Sequence, residues 1–487
     1  MKAAFIVMAV AVAFRLVLAG FTGLGIDESY MVAASHTFSA SYFDHPLASW
    51  WLELAARRLT GSAAPIIVRL PFVLLSAVSS WLLWVISNRL YGARAGFWAV
   101  LAYSLSPVFS LAAGCWVLPD GPLDAALLAF LYALLRALGL PDGRPAPRWW
   151  AGVGLFAGLA LLSKYNAALV LAGAAAGVLL EPVSRRELRR FAPWGAVLLA
   201  VALFTPVLWW NATHGWASFS YQGGRATGFR LRPLMPLTIL GGEALFVLPW
   251  LWLPLIYLLL RGFRRGPGAR VGWLLSWAAV VPVALFALVG LWSSTRILYH
   301  WAAPGYLMLF PVLGDWASRF VPWLRDAVAR ITAVLLAGAV LVLSAEVTTG
   351  FLPHLNRLFT PGKSPMLQVV DWDSLATQIP PGIAAVAAQR WFDAGKIGYA
   401  LRGMPVAVTV FGSPAHEFAF STPPESLLGK NLLLLAMPGD VMDTYREFAP
   451  DFRTLKPGPA LTVMHNGAAL LVIPSFIGTD LRRVPPG

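Results

Sequence analysis

The chain has 487 residues, 58% of them hydrophobic and only 12% charged, with 22 tryptophans, and its mean hydropathy is +0.68. Soluble domains are about half apolar and about a quarter charged, and disordered chains are poorer still in apolar residues, so both classes are excluded. The single cysteine, Cys115, excludes an intrachain disulfide framework and a multi-cysteine zinc site, while the net charge of +14 has to be read by its placement before any partner is invoked.

Apolar runs long enough to span a bilayer, or nearly so, fall at 3–20, 64–87, 95–114, 122–138, 149–163, 166–181, 193–210, 235–260, 271–292, 301–314 and 329–346. The first begins with Met1 and Lys2 like a signal peptide, but Arg15 interrupts it and many spans follow, so it reads as a retained helix. With an inside N-terminus the inner segments carry 17 Lys and Arg, whereas the outer ones before the tail carry 7: Arg57, Arg58, Lys164, Arg225, Arg230, Arg232 and Arg296. That asymmetry fixes the orientation and accounts for most of the positive charge, so no nucleic-acid partner is needed. The pairs Trp50–Trp51, Trp149–Trp150 and Trp209–Trp210 read as interfacial anchors. Acids follow another pattern: Asp27, Glu28, Asp44, Glu53, Asp120, Asp124, Glu243 and Glu346 gather on the outer side. Acids contribute little to topology, so chemistry at the outer face is a cause to consider.

The first outer loop, 21–63, holds GIDESY at 25–30 and FDHPLASWW at 43–51. The acids Asp27 and Glu28 follow the first span directly. A vicinal acid pair beside a bilayer is costly unless cations neutralise it, which favours a site over an ordinary solvated loop. The stretch 47–59 reads as an amphipathic interfacial helix with Glu53, Arg57 and Arg58 on its wet side. Asp44 and His45 offer oxygen and nitrogen to a divalent metal ion, with Glu28 as a further ligand, although neighbouring residues alone are a weak metal signature. Next comes WVLPDGPLDA at 116–125, where Asp120 either caps the fourth helix or faces the Asp27 loop across a shared crevice. Lys164, in LLSKYNAA at 161–168, stands between two apolar half-runs. A lysine there costs roughly 2.5 to 3.5 kcal/mol at the bilayer centre, unless it snorkels to the surface or joins a site. His45, Lys164 with its neighbour Tyr165, Arg225, and Arg296 with His300 in SSTRILYHW at 293–301 are the candidate cations and binding groups on this side. Converging, they would grip a phosphate.

After residue 346 the charge is nearly balanced, with 11 basic and 10 acidic residues. Short β-like runs occupy 383–389, 405–411, 431–436 and 467–473, with a helix at 391–401 between the first two. The chain therefore reads as a polytopic α-helical membrane protein of about 11 spans over 1–346, followed by a small outer α/β domain at 347–487.

The order of motifs (an acidic pair after the first span, then FDHPLASWW, LPDGPL, LSKYNA, PVLWWNATHGWASFSYQ and YHWAAPGYL) resembles the bacterial GT-C glycosyltransferases of the protein mannosyltransferase and aminoarabinose lipid A transferase type. The resemblance covers about residues 1–315 in motif order and the tail only in layout. It implies an inner-membrane enzyme that moves a sugar from a polyprenyl phosphate carrier to a glycolipid, glycan or protein acceptor at the periplasmic face, with inversion. It also implies that Asp27 is the catalytic carboxylate and that Asp44, His45 and Pro46 form the family's acidic-basic-Pro element, whose acid binds metal in some members. The aminoarabinose branch has lysine where this chain has His45, and galacturonic acid transferases share the layout, so sugar and metal use stay open. On this reading Glu28 orients the site or binds a metal, Asp120 positions the base or the acceptor, and Lys164, Arg225 and Arg296 hold phosphate. A multispanning transporter or flippase is the alternative. It is disfavoured because transporters place ionisable groups near the bilayer midplane in repeated halves, whereas these collect at one face.

Overall fold

The computed structural model describes residues 1–351 and 364–484, so 352–363 and 485–487 of the expected tail domain lie outside the described residues. Every one of the apolar runs is helical. Among the described residues, five helices are long and apolar enough to cross a membrane singly: Lys2–Phe21, Pro65–Tyr91, Phe191–Thr213, Arg270–Val289 and Pro322–Thr349. Two more spans arise if Ala93–Leu105 with Val108–Cys115, and Met235–Val247 with Pro249–Arg265, each count as one, although these pairs are bent by 83° and 117°.

The runs 95–114 and 235–260, read as continuous, are thus broken. Both breaks have one cause, a proline that drives its predecessor out of the helical region. Ser106, before Pro107, is extended, and Leu248, before Pro249, has φ 87°. The breaks also meet, because the Ser106 hydroxyl donates to the Val247 carbonyl at 3.0 Å.

The chain forms two compact units. The first comprises Met1–Val17, Ser39–Ser49 and Arg69–Gly338. Its centre is the helix Asp120–Ala137, in which all but two residues are buried. That helix packs on Trp149–Ser163, which packs in turn on Phe191–Thr213. In lipid, helices gain from close approach more than from the hydrophobic effect. Gly173 shows how close: a Cβ there would lie 2.2 Å from the Trp277 carbonyl oxygen of the neighbouring helix Arg270–Val289. The tryptophan pairs divide their labour, since Trp50, Trp150 and Trp210 are buried while Trp51 and Trp209 are exposed. Successive helical residues point about 100° apart, so one partner packs inside and only the other can anchor.

The second unit comprises Leu18–Phe38, Trp50–Val68 and Ala339–Gly487, so most of the first loop is grouped with the tail. Its strands are β1 (Ala385–Ala388), β2 (Ala407–Val410), β3 (Leu432–Leu435), β4 (Phe452–Pro457), β5 (Leu461–His465), β6 (Ala468–Ile473) and β7 (Ser475–Leu481). One sheet runs β2-β1-β3-β7-β4 and the other pairs β5 with β6. β1 is parallel to β2 and β3, and β7 is antiparallel to β3 and β4. The helix Trp391–Ala400 is the β1 to β2 crossover that parallel pairing demands. β1 and β3 are buried along their whole length, as central strands of an α/β layer are. The run at 467–473 is instead half of a hairpin. Its turn is Asn466–Gly467, both at positive φ, the favoured two-residue hairpin connection.

Candidate active site

In the first unit, the helix Trp149–Ser163 ends where Lys164 turns extended, at φ −155° and ψ 138°, and a new helix starts at Ala167. The break points the Lys164 side chain into the protein. Its ammonium donates to both Asp120 oxygens at 2.9 Å, and both side chains are buried. Lys164 therefore does not snorkel. Asp120 does not cap its helix either: it is the first helical residue, after Pro119, and there is no side-chain cap. Burial explains both outcomes, because each charge, once out of water, needs the other.

Around this pair the first unit gathers most of the expected binding residues. His45, Lys164, Tyr165, Gln222 and Arg225 line a cavity of about 230 Å³, together with Leu169, Leu285, Phe286, Val289 and Trp301. The Arg225 guanidinium is held at 2.8 Å by the Tyr221 hydroxyl, to which it donates, and lies over the rings of Tyr221 and Trp301 at 4.5 and 4.8 Å. Gln222 donates its amide to the Asp44 carbonyl at 2.7 Å, fixing the loop that bears Asp44 and His45. Asn166 donates to the Trp301 carbonyl at 3.3 Å, fixing the segment that bears His300. Arg296 is exposed and lines an adjoining depression shared with Arg225, Tyr221 and Trp301.

Two of the expected cations are not cations here. Burial, then the Lys164 ammonium, brings His45 down to about 3. Burial and Lys164 likewise bring His300 down to about 4. Both imidazoles are neutral at pH 7, because a third positive charge beside Lys164 and Arg225 would be desolvated and repelled. The buried Nδ1 of His45 has no hydrogen-bond partner among the described residues, and His45 lines the cavity.

The second unit carries Asp27 and Glu28 on the helix Ile26–Ala34. Asp27 is exposed and Glu28 buried. Glu28 accepts the Gly25 N–H at 2.7 Å, which closes the first turn. The helix is moored by the tail. Asp371 accepts the Leu24 N–H at 2.9 Å. The Lys396 ammonium donates to the carbonyls of Leu24, Gln368 and Val370, the last two at 3.0 Å. Tyr30 sits among Trp50, Trp391, His416 and Phe418. A Cβ on Gly395 would lie 2.7 Å from the Tyr30 Cα, so only glycine lets the helix Trp391–Ala400 approach.

The amphipathic helix exists as Ala48–Thr60, but Glu53 is not on its wet side. It is fully buried, accepts from Arg57 at 2.8 Å and from Ser35, and burial raises it to about 6 although Arg57 opposes the shift. The arginine stem extends outward and the acid inward, so a helical-wheel assignment by charge alone misplaces it. Asp44 is buried. Among the described residues no group of three or more His, Cys, Asp or Glu is arranged to hold a metal ion, and the expected ligands Asp44 and Glu28 belong to different compact units. Sequence reasoning passed over Tyr221, Gln222, Asn166 and Trp301. Asn166 and Trp301 adjoin Tyr165 and His300, and Tyr221 and Gln222 lie about one helical turn before Arg225, which was the available signal. Nothing in the sequence distinguishes Lys396.

Residues 44–210 match the family model described as dolichyl-phosphate-mannose-protein mannosyltransferase. The chain is 30% identical over 204 residues to the lipid A galacturonosyltransferase RgtD of Rhizobium johnstonii, covering 41% of each. It is 24% identical over 224 residues to an undecaprenyl phosphate-alpha-4-amino-4-deoxy-L-arabinose arabinosyl transferase of Proteus mirabilis, covering 43% of this chain and 39% of that one. The match thus spans about two fifths of the length of these relatives. Solved structures of ArnT from Cupriavidus metallidurans superpose over 97% of both chains, with TM-score 0.63 and 16% identity for the apo state. The form bound to undecaprenyl phosphate gives TM-score 0.61 and 18% identity.

Proposed function

From a chain with the GT-C fold of the protein mannosyltransferase and aminoarabinose transferase superfamily, we propose an integral membrane glycosyltransferase. It moves a monosaccharide from a polyprenyl phosphate to an envelope acceptor at the periplasmic face of the inner membrane. The observation that carries this reading is the cavity of the first unit, which is lined both by Lys164, His45 and Arg225 and by the apolar side chains of Leu285, Phe286, Val289 and Trp301. A lipid phosphate presents the same two chemistries, a charged head and an apolar tail. The ammonium and guanidinium suit phosphoryl oxygens, and the neutral His45 can add a hydrogen bond without further charge. Arg296 extends the basic surface outward. Asp27 is the proposed base, exposed on a helix that the tail holds rigid. The acceptor hydroxyl oxygen attacks the anomeric carbon, the bond from that carbon to the phosphate oxygen breaks, Asp27 takes the hydroxyl proton, and the cations stabilise the departing polyprenyl phosphate. One displacement inverts the anomeric centre. The similarity to a lipid A galacturonosyltransferase makes a lipid A acceptor the first to try.

The helix break at Lys164–Asn166 favours transport instead, and so does the meeting of two further broken helices at Ser106 and Val247. Purified protein in liposomes separates the two readings. A transferase consumes undecaprenyl phosphate-linked sugar only when acceptor is present and yields a glycosylated product. Movement of the lipid-linked sugar across vesicles that hold no acceptor, with no product formed when acceptor is added, would overturn the proposal.

A further inference from the structure

We infer that the crevice at the carboxyl ends of β1 and β3 is a saccharide-binding site. We assign to it the sugar headgroup of the acceptor, an assignment that rests on the transferase reading above. In the order β2-β1-β3, the chain leaves β1 to one side to form β2 and returns across it to form β3. The boundary between β1 and β3 is therefore where the connections diverge, and in open α/β sheets ligands bind in the crevice that such divergence opens. A cavity of about 190 Å³ lies there, lined by Arg390 and Asp393 after β1 and by Met437, Pro438 and Asp440 after β3. Ile26 also lines it, and the next residue along the chain is Asp27.

The chemistry of the lining selects the ligand. Arg390 donates to Asp393 at 2.6 Å and lies 4.8 Å from the centre of the Phe392 ring. Two carboxylates, Asp393 and Asp440, face this single guanidinium. Lys396 also lines the cavity, but its ammonium donors are spent on three backbone carbonyls, and its charge with that of Arg390 only balances the two carboxylates, so the lining carries no net positive charge. Such a site does not suit phosphate. It suits hydroxyls, which donate to carboxylates and accept from Arg390 and the Gln368 amide, while a sugar's C–H face packs on the Phe392 ring. Burial raises the Asp393 carboxyl above its usual range, with Arg390 opposing the shift, in keeping with a group that exchanges water for ligand hydroxyls.

The test uses full-length protein in lipid nanodiscs and three probes: lipid A, the glucosamine disaccharide of lipid A stripped of acyl chains and phosphates, and inorganic phosphate. The variants are Asp440→Asn and Arg390→Gln, with melting curves confirming the fold. Asp440 is exposed, so its variant keeps the test standing if Arg390→Gln unfolds the domain. Saturation-transfer NMR should show disaccharide binding to the wild type, an affinity about tenfold lower for each folded variant, and no displacement by phosphate. Equal disaccharide binding in wild type and Asp440→Asn would overturn the site. So would displacement by phosphate, or binding of lipid A without binding of the disaccharide. A wild type that binds the disaccharide at this crevice but transfers no sugar upholds the site and defeats the transferase reading instead.

Discussion

The two compact units each bury a lysine, and they satisfy it differently: the first holds the lysine proposed to grip phosphate, the second a structural one. In the first, Lys164 meets a single carboxylate, Asp120, beside a cavity it helps to line. In the second, Lys396 meets three backbone carbonyls and pins the tail to the turn before Asp27. A lysine held by one carboxylate can share its donors with an incoming phosphate. A lysine whose three donors are spent on carbonyls is a peg.

The widest separation should come from the base. We expect Asp27→Asn to lower transfer by about a thousandfold with melting and membrane insertion unchanged, since the side chain is exposed. Wild-type turnover by the purified variant would remove Asp27 from the mechanism.

The lysines come next. Lys396→Met should destabilise by about 3 kcal/mol, because it strands buried carbonyls, and lower activity through loss of the folded tail. Lys164→Met should destabilise by about 3 to 5 kcal/mol by leaving Asp120 unpaired. The double variant Lys164→Met with Asp120→Asn should recover most of that stability but not donor affinity. Recovery of both by the double variant would make the pair purely structural and erase the contrast.

Arg225→Gln should raise the donor concentration for half-saturation about tenfold with little change in melting. Unchanged saturation would take Arg225 off the phosphate.

The smallest effect is on pH. His45 and His300 lie at about 3 and about 4 in the folded chain, against an ordinary 6.5. A lowered histidine favours folding above 6.5, where both states are neutral, and this advantage fades as the pH falls from 6.5 toward 4, because the unfolded imidazoles protonate first. Melting temperature should therefore be level above pH 7 and decline below about 6.5. A bound lipid phosphate should raise both imidazoles, which NMR titration with and without undecaprenyl phosphate would reveal. No response to the lipid would mean that His45 does not face the phosphate.

Much of the helical unit could be read directly, because membrane spans announce themselves by apolar length, and the residues at their outer ends were found for the same reason. The two helix breaks were legible in principle from Pro107 and Pro249, but an apolar window averages over them. Asp120 was located without its partner and Glu53 was put on the wrong face of its helix: charge marks where a residue falls along the chain, whereas partnership and burial depend on residues 44 and 18 positions away, respectively Lys164 and Ser35. In the tail, β1, β2 and β3 showed as short apolar runs. β4 did not, because it is an edge strand buried only at Phe452 and Leu455, and β7 did not, because Gly478, Thr479 and Asp480 interrupt its apolar residues.

Composition and the apolar runs determined by themselves that this chain is a multi-pass membrane protein, and the order of motifs pointed to the glycosyltransferases it resembles. The tertiary structure decided which charges meet, that the two histidines are neutral, and that the helix bearing Asp27 hangs on Lys396 and Tyr30. The physical reason is that hydrophobic length is a local sum along the chain, whereas desolvation and ion pairing are properties of what surrounds a group in space.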